Sequence, residues 1–144
     1  LVRAAEENVV AQVNLQINRA AVRALLVDPS GGVARDLLRR GNNVATLAKK
    51  YAPVNTGRLR ASIEAKLVKY GGSIAVVIGT NVEYAMFQHE GTGIYGPNGT
   101  PIVPLNAQAL RFRPKGSTEF VYAKSVRGSM PTFFLKRALP AAAL

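Results

Sequence analysis

His89 is the one histidine of this 144-residue chain, and it stands directly before Glu90. An imidazole next to a carboxylate is a fragment of acid–base machinery, since the carboxylate could orient the ring. Catalysis also needs a nucleophile or a second titrating group within reach. No serine lies in an elbow motif beside a predicted strand, and the chain has no cysteine. The eight Asp and Glu residues are scattered without the pairing that glycoside chemistry uses. One histidine without cysteine is a poor donor set for zinc or iron. Gly91-Thr92-Gly93 and Gly96-Pro97-Asn98-Gly99 are glycine-rich. Neither follows a strand and opens a helix with a lysine, so neither reads as a phosphate loop. The expectation is a protein with no catalytic residue, metal or cofactor, in which His89 is a packed or surface residue.

Charge is the stronger signal. Nineteen Lys and Arg face eight Asp and Glu, a formal net charge of +11. Such a balance favours a polyanion: nucleic acid, an anionic membrane or an acidic protein surface. Residues 91–144 carry seven of the cations (Arg111, Arg113, Lys115, Lys124, Arg127, Lys136 and Arg137) against a single acid, Glu119. Aromatic residues are interleaved with them. Phe112 lies between Arg111 and Arg113, and Phe120 and Tyr122 precede Lys124. That pattern suits a stacking surface for nucleic acid. Strand alternation accounts for it equally with the aromatic side in the core, and that is the expectation adopted from the residues alone.

The elements that must position these residues follow from periodicity and turn chemistry. Residues 3–27 read as a helix, with Val10, Val13, Ile17, Ala20 and Ala24 on a narrow stripe and Glu6 and Glu7 in its first turn. Asp28-Pro29-Ser30-Gly31-Gly32 breaks it. A second helix is expected over 33–51, with Leu37, Val44, Leu47, Ala48 and Tyr51 on its apolar face and a kink or break at Gly41-Asn42-Asn43. Pro53 ends it, and Asn55-Thr56-Gly57 is turn chemistry that leads into Arg58 and Arg60. Ser62–Lys69 alternates as a half-buried strand, Tyr70-Gly71-Gly72-Ser73 reads as a hairpin turn, and the apolar run Ile74–Gly79 as a more central strand. A short helix over 82–90 capped by Asn81, an irregular loop over 92–107, and short strands over 109–113 and 119–126 follow. A final helix spans 132–143, weakened by Pro140. The fold class expected is α+β: two N-terminal helices, a small mainly antiparallel sheet of about four strands, a short helix and a C-terminal helix. Residues 1–144 read as one domain, with a helical part over 1–52 and the sheet, loop and closing helix over 53–144. No apolar run is long enough for a membrane span, and the N-terminus lacks the order of a signal peptide. The absence of cysteine fits manufacture in a reducing cytosol.

Four blocks in this order resemble a known family. They are Ala-Pro-Val-Asn-Thr-Gly-Arg-Leu-Arg-Ala-Ser-Ile (52–63), Ile-Gly-Thr-Asn-Val-Glu-Tyr-Ala (78–85), His-Glu-Gly-Thr (89–92) and Pro-Thr-Phe-Phe-Leu-Lys-Arg-Ala-Leu (131–139). Across residues 33–144 the chain resembles the neck proteins of tailed bacteriophages, the family typified by the gene-ten product of Hong Kong phage 97. These are also labelled head–tail connector, tail-completion or minor tail proteins. Asn55 replaces the family's usual Asp, Gln88-His89-Glu90 replaces a run of Tyr-x-Glu-Phe type, and residues 107–126 look like an inserted hairpin.

The resemblance implies a structural virion protein rather than an enzyme, assembled in the bacterial cytoplasm and located at the head–tail junction. It implies a ring of copies, a hexamer or a dodecamer, that joins the DNA-filled head to the tail. The implied partners are an adjoining head-closure or adaptor ring, a tail terminator or tail tube protein, and double-stranded phage DNA in the lumen, with no membrane. Arg58, Arg60, Arg111, Arg113, Lys115, Lys124 and Arg127 are the candidate DNA-facing or subunit-interface residues. The alternatives are a tail terminator ring that caps the tail tube and a free nucleic-acid-binding protein.

Overall fold

Asn18 sets the start of the first helix. Its side-chain oxygen accepts hydrogen bonds from the backbone N–H groups of Ala20 and Ala21, each at 3.1 Å, satisfying donors that a helix start leaves free. The computed structural model describes residues 15–143, and within them α1 spans Arg19–Val27. Residues 15–18 are not helical, so the expected helix over 3–27 does not run unbroken into α1. Its earlier part, with Val10 and Val13, lies outside the described residues. No residue of α1 is buried. Asp28 then turns the chain, accepting from the backbone N–H of Ser30 at 2.9 Å and from its hydroxyl at 2.7 Å. These bonds to the ionised form hold the Asp28 carboxyl below its ordinary value.

The second helix, α2, spans Gly32–Tyr51 without a break. The expected kink at Gly41 is absent, and the glycine serves packing instead. Gly41 is buried against the first hairpin, where a Cβ would overlap Cγ1 of Val76 and sit 3.2 Å from Cβ of Ala65. On the outer face Asp36 pairs with Arg39 at 2.9 Å and Arg40 at 2.8 Å, which holds its carboxyl below the usual range.

After Pro53 the structure departs from the expected strand. Gly57 adopts φ +81°, and the N–H of Ala61 bonds its carbonyl at 2.9 Å, opening a one-turn helix α3 over Arg58–Ser62. Arg, Leu and Ala are good helix formers, and Leu59 is buried by the turn. The strand therefore starts later: β1 spans Glu64–Tyr70 and pairs antiparallel with β2, Ser73–Gly79. Gly71 and Gly72 carry φ +56° and +78°, the left-handed pair that a two-residue hairpin turn requires. The apolar run of β2 is not central. It pairs with β1 alone, and Val77 is exposed on the face away from α2.

Helix α4 spans Ala85–Glu90, starting later than expected, and Thr80 rather than Asn81 supplies the oxygen before it, accepting from the N–H of Val82 at 3.2 Å. The loop beyond holds one 3₁₀ turn, Gly93–Tyr95, and a bridge between Ile102 and Val126. β3, Leu110–Phe112, pairs antiparallel with β4, Val121–Ala123. The four strands thus form two separate two-stranded sheets rather than one sheet of four. The closing helix α5 is short, Phe134–Ala138. It passes into a 3₁₀ turn over Leu139–Ala143, where Pro140 cannot donate to a continuing α-helix.

The core lies where α2, α3, β1, α4 and α5 meet: Val44, Ala45, Ala48, Ala52, Leu59, Ile63, Val82, Ala85, Phe134 and Ala138. Phe134, wholly buried, is its largest side chain. Arg40 donates to the carbonyl of Ala142 at 3.1 Å, and the guanidinium of Arg137 lies 4.3 Å from the centre of the Tyr51 ring, so the middle and the C-terminal end of α2 are tied to the C-terminal segment. Among the described residues no helix is long and apolar enough to cross a membrane.

Candidate functional site

The conspicuous sequence blocks turn out to be the joints of the fold, and they meet in pairs. The hydroxyl of Ser62, in the first block, donates to the carbonyl of Leu59 at 2.8 Å and shares a hydrogen bond with the hydroxyl of Thr80 in the second. The third and fourth blocks are laced by backbone bonds. The Gln88 carbonyl accepts from both the N–H of Thr132 (3.1 Å) and its hydroxyl (2.6 Å), and the His89 carbonyl accepts from Phe133 at 3.0 Å. The Thr92 N–H donates to Ser129 at 2.9 Å, and the Ser129 N–H returns a bond of 2.9 Å to the Thr92 hydroxyl. Gly128 has to be glycine here, because at φ +94° a Cβ would run into the carbonyl of Thr92.

His89 is a packed residue. Its ring meets Phe133 and Phe134 edge-on, with centroids 5.6 Å and 5.2 Å apart. Its Nδ1 is buried with no hydrogen-bond partner among the described residues. Glu90, which could have oriented the ring, makes no bond to it.

Two cationic residues of the second half, Arg111 and Arg113, share one face of the β3–β4 hairpin. Arg111 stands opposite Tyr122 across the ladder, so the two side chains share a face. Arg113, two residues on, points the same way. Both guanidiniums lie over Phe120, Arg111 at 3.8 Å and Arg113 at 4.6 Å from the ring centre. A cation over the negative face of a ring is attracted by about 0.5–1 kcal/mol at an exposed site. The expected placement of the aromatic side in the core is overturned: Phe120 is 46% exposed and Tyr122 65%. Alternation correctly told which residues share a face, but it carries no information on which face is turned inward. The inner partners are Leu110 and Phe112, both half-buried.

Arg113 and Lys115 also border a groove of about 680 Å³ that runs between the turn 114–117 and the loop 53–57, with Tyr84 and Gln88 in its wall. Thus the structure brings Arg111, Arg113 and Lys115 to one end of the second hairpin. Lys124 is exposed just beyond β4. Arg127 is exposed, and its backbone carbonyl accepts from Ile94 at 2.8 Å. The first-block arginines do not line the groove, although Gly57 and Leu59 on either side of Arg58 do. Arg58 is exposed on α3, and Arg60 reaches back to the carbonyl of Ala52 at 3.4 Å, at the end of α2. Among the described residues no ion pair engages any of these seven cations. Phe120 is the residue that the sequence reading undervalued. The signal available was its position between two cationic segments, Arg111-Phe112-Arg113 and Lys124.

Residues 33–91 match the family model described as "Bacteriophage HK97-gp10, putative tail-component". The match covers α2, α3, the first hairpin and α4, hence the first two blocks and most of the third. It stops short of the second hairpin and of the closing block. No curated protein and no solved structure matches the chain.

Proposed function

We propose that this protein is a structural part of a tailed phage particle, working as a ring at the neck where the DNA-filled head meets the tail. The match of residues 33–91 to a phage tail component carries this reading. The distribution of apolar surface supports it. Of the buried apolar residues described, Ala34, Ala45, Ala48, Ala52, Ala85 and Ala138 are alanine, so the core is thin. Meanwhile Val22, Leu25 and Leu26 of α1 and Val103 and Leu105 of the long loop stay exposed, Leu105 at 94%. Apolar side chains left in water on a monomer are surfaces that assembly can bury. Copies meeting head-to-tail through two different faces close into a ring when the rotation allows it, and a six-fold ring would match a six-fold tail tube. The ring holds its neighbours, engages the rings above and below, and passes duplex DNA through a lumen whose cations meet phosphates without reading sequence.

Particle assembly in cells that lack the protein tests this. The neck reading expects filled heads and tails of normal length that fail to join. Overlong tails would overturn it in favour of a terminator, and fully joined infectious particles would overturn both.

A further inference from the structure

We propose that the outer face of the β3–β4 hairpin, with Arg111, Arg113, Lys115, Tyr122 and Lys124, binds the phosphodiester backbone of DNA. This deepens the neck reading by naming the surface that meets DNA, although the binding itself is a property of the protein outside the particle.

Three observations carry it. First, the cations are unneutralised. Glu119 is the single acid of residues 91–144, and no ion pair reaches the hairpin among the described residues. Secondly, the two guanidiniums are positioned in advance. Contact with the Phe120 ring, at 3.8 Å and 4.6 Å from its centre, holds both guanidiniums on this face, and a guanidinium fork is the donor geometry that a phosphate takes with two hydrogen bonds. Thirdly, Tyr122 is the aromatic of this face whose ring no cation is seen to cover, and it is 65% exposed. A free ring beside a phosphate track can stack an unpaired base. The shared ligand chemistry is the phosphodiester chain, whether in a duplex or in a single strand.

An acidic protein segment would meet the same cations. The free tyrosine favours nucleic acid, because a carboxylate chain has no flat face for Tyr122 to cover.

The test is binding of the purified full-length protein to a labelled duplex and to a labelled single strand of equal length, over a range of salt. Three or four phosphate contacts give a log–log salt slope of roughly −3 to −4 on duplex. Arg111→Ala with Arg113→Ala should weaken binding about 10-fold or more at low salt and cut the slope by about two. Arg111→Lys with Arg113→Lys should keep the slope and still weaken binding, since lysine keeps the charge without the stacked fork. Tyr122→Ala should weaken single-strand binding more than duplex binding. Arg19→Ala with Arg23→Ala, on α1 and away from the β3–β4 hairpin, should leave both within about two-fold, a margin small beside the loss expected at the hairpin. Circular dichroism of each variant confirms that it is folded. Absent binding to either DNA, or an equal loss from the Arg19/Arg23 pair, would overturn the proposal and leave the neck reading standing. So would binding to polyglutamate, but not DNA, that depends on Arg111 and Arg113. Fully joined infectious particles from cells that lack the protein, with DNA binding by the purified protein intact, would do the reverse.

Discussion

Gly41 shows how one residue can look like a defect and act as a fitting. In sequence it weakens the middle of a helix, and alanine there would favour the helical state by about 1 kcal/mol. In the structure the missing Cβ is what lets α2 approach Val76 and Ala65. Overpacking of this kind costs about 1–3 kcal/mol. Gly41→Ala should therefore lower stability in urea unfolding, against the helix-propensity trend. Adding Val76→Ala to that variant should recover part of the loss, because it removes the methyl group in the way. The partners of Gly41 lie on strands far along the chain, so no local pattern could reveal its role. Phe120 teaches the complementary lesson. Its side of the strand was legible, yet its exposure depended on how little the second hairpin has to pack against.

At the scale of elements, existence was easier to read than extent. α2 begins within one residue of the position that Gly31-Gly32 suggested, and the Tyr70–Ser73 turn forms as its glycines require. The errors fall at joints. Arg58–Ser62 coils because Gly57 in the left-handed region starts a turn that buries Leu59, an outcome set by the core rather than by alternation. The closing helix is shortened at one end by Phe133, at φ +47°, and at the other by Pro140. What α5 contributes is Phe134. Truncating a wholly buried phenylalanine costs about 3–5 kcal/mol, a large share of the stability of any small domain. Phe134→Ala should unfold at markedly lower urea than the parent, while Phe133→Ala, whose ring is partly exposed, should be much milder. Equal effects would mean that α5 is not anchored as described.

For the whole molecule, the readable part and the functional part only partly coincide. The first two blocks, which carry the resemblance to a phage family, are joints bonded to each other through Ser62 and Thr80, and these lie inside the matched residues 33–91. The second hairpin, where the cations gather, lies beyond that match, so its role has to be argued from its own chemistry. The core is thin, and apolar residues of α1 and the long loop stay exposed. The central claim, a structural place at the head–tail junction, is tested most directly by electron microscopy of virions labelled with an antibody against this protein. The account predicts label confined to the junction. Label along the tail shaft, or none on particles, would contradict it.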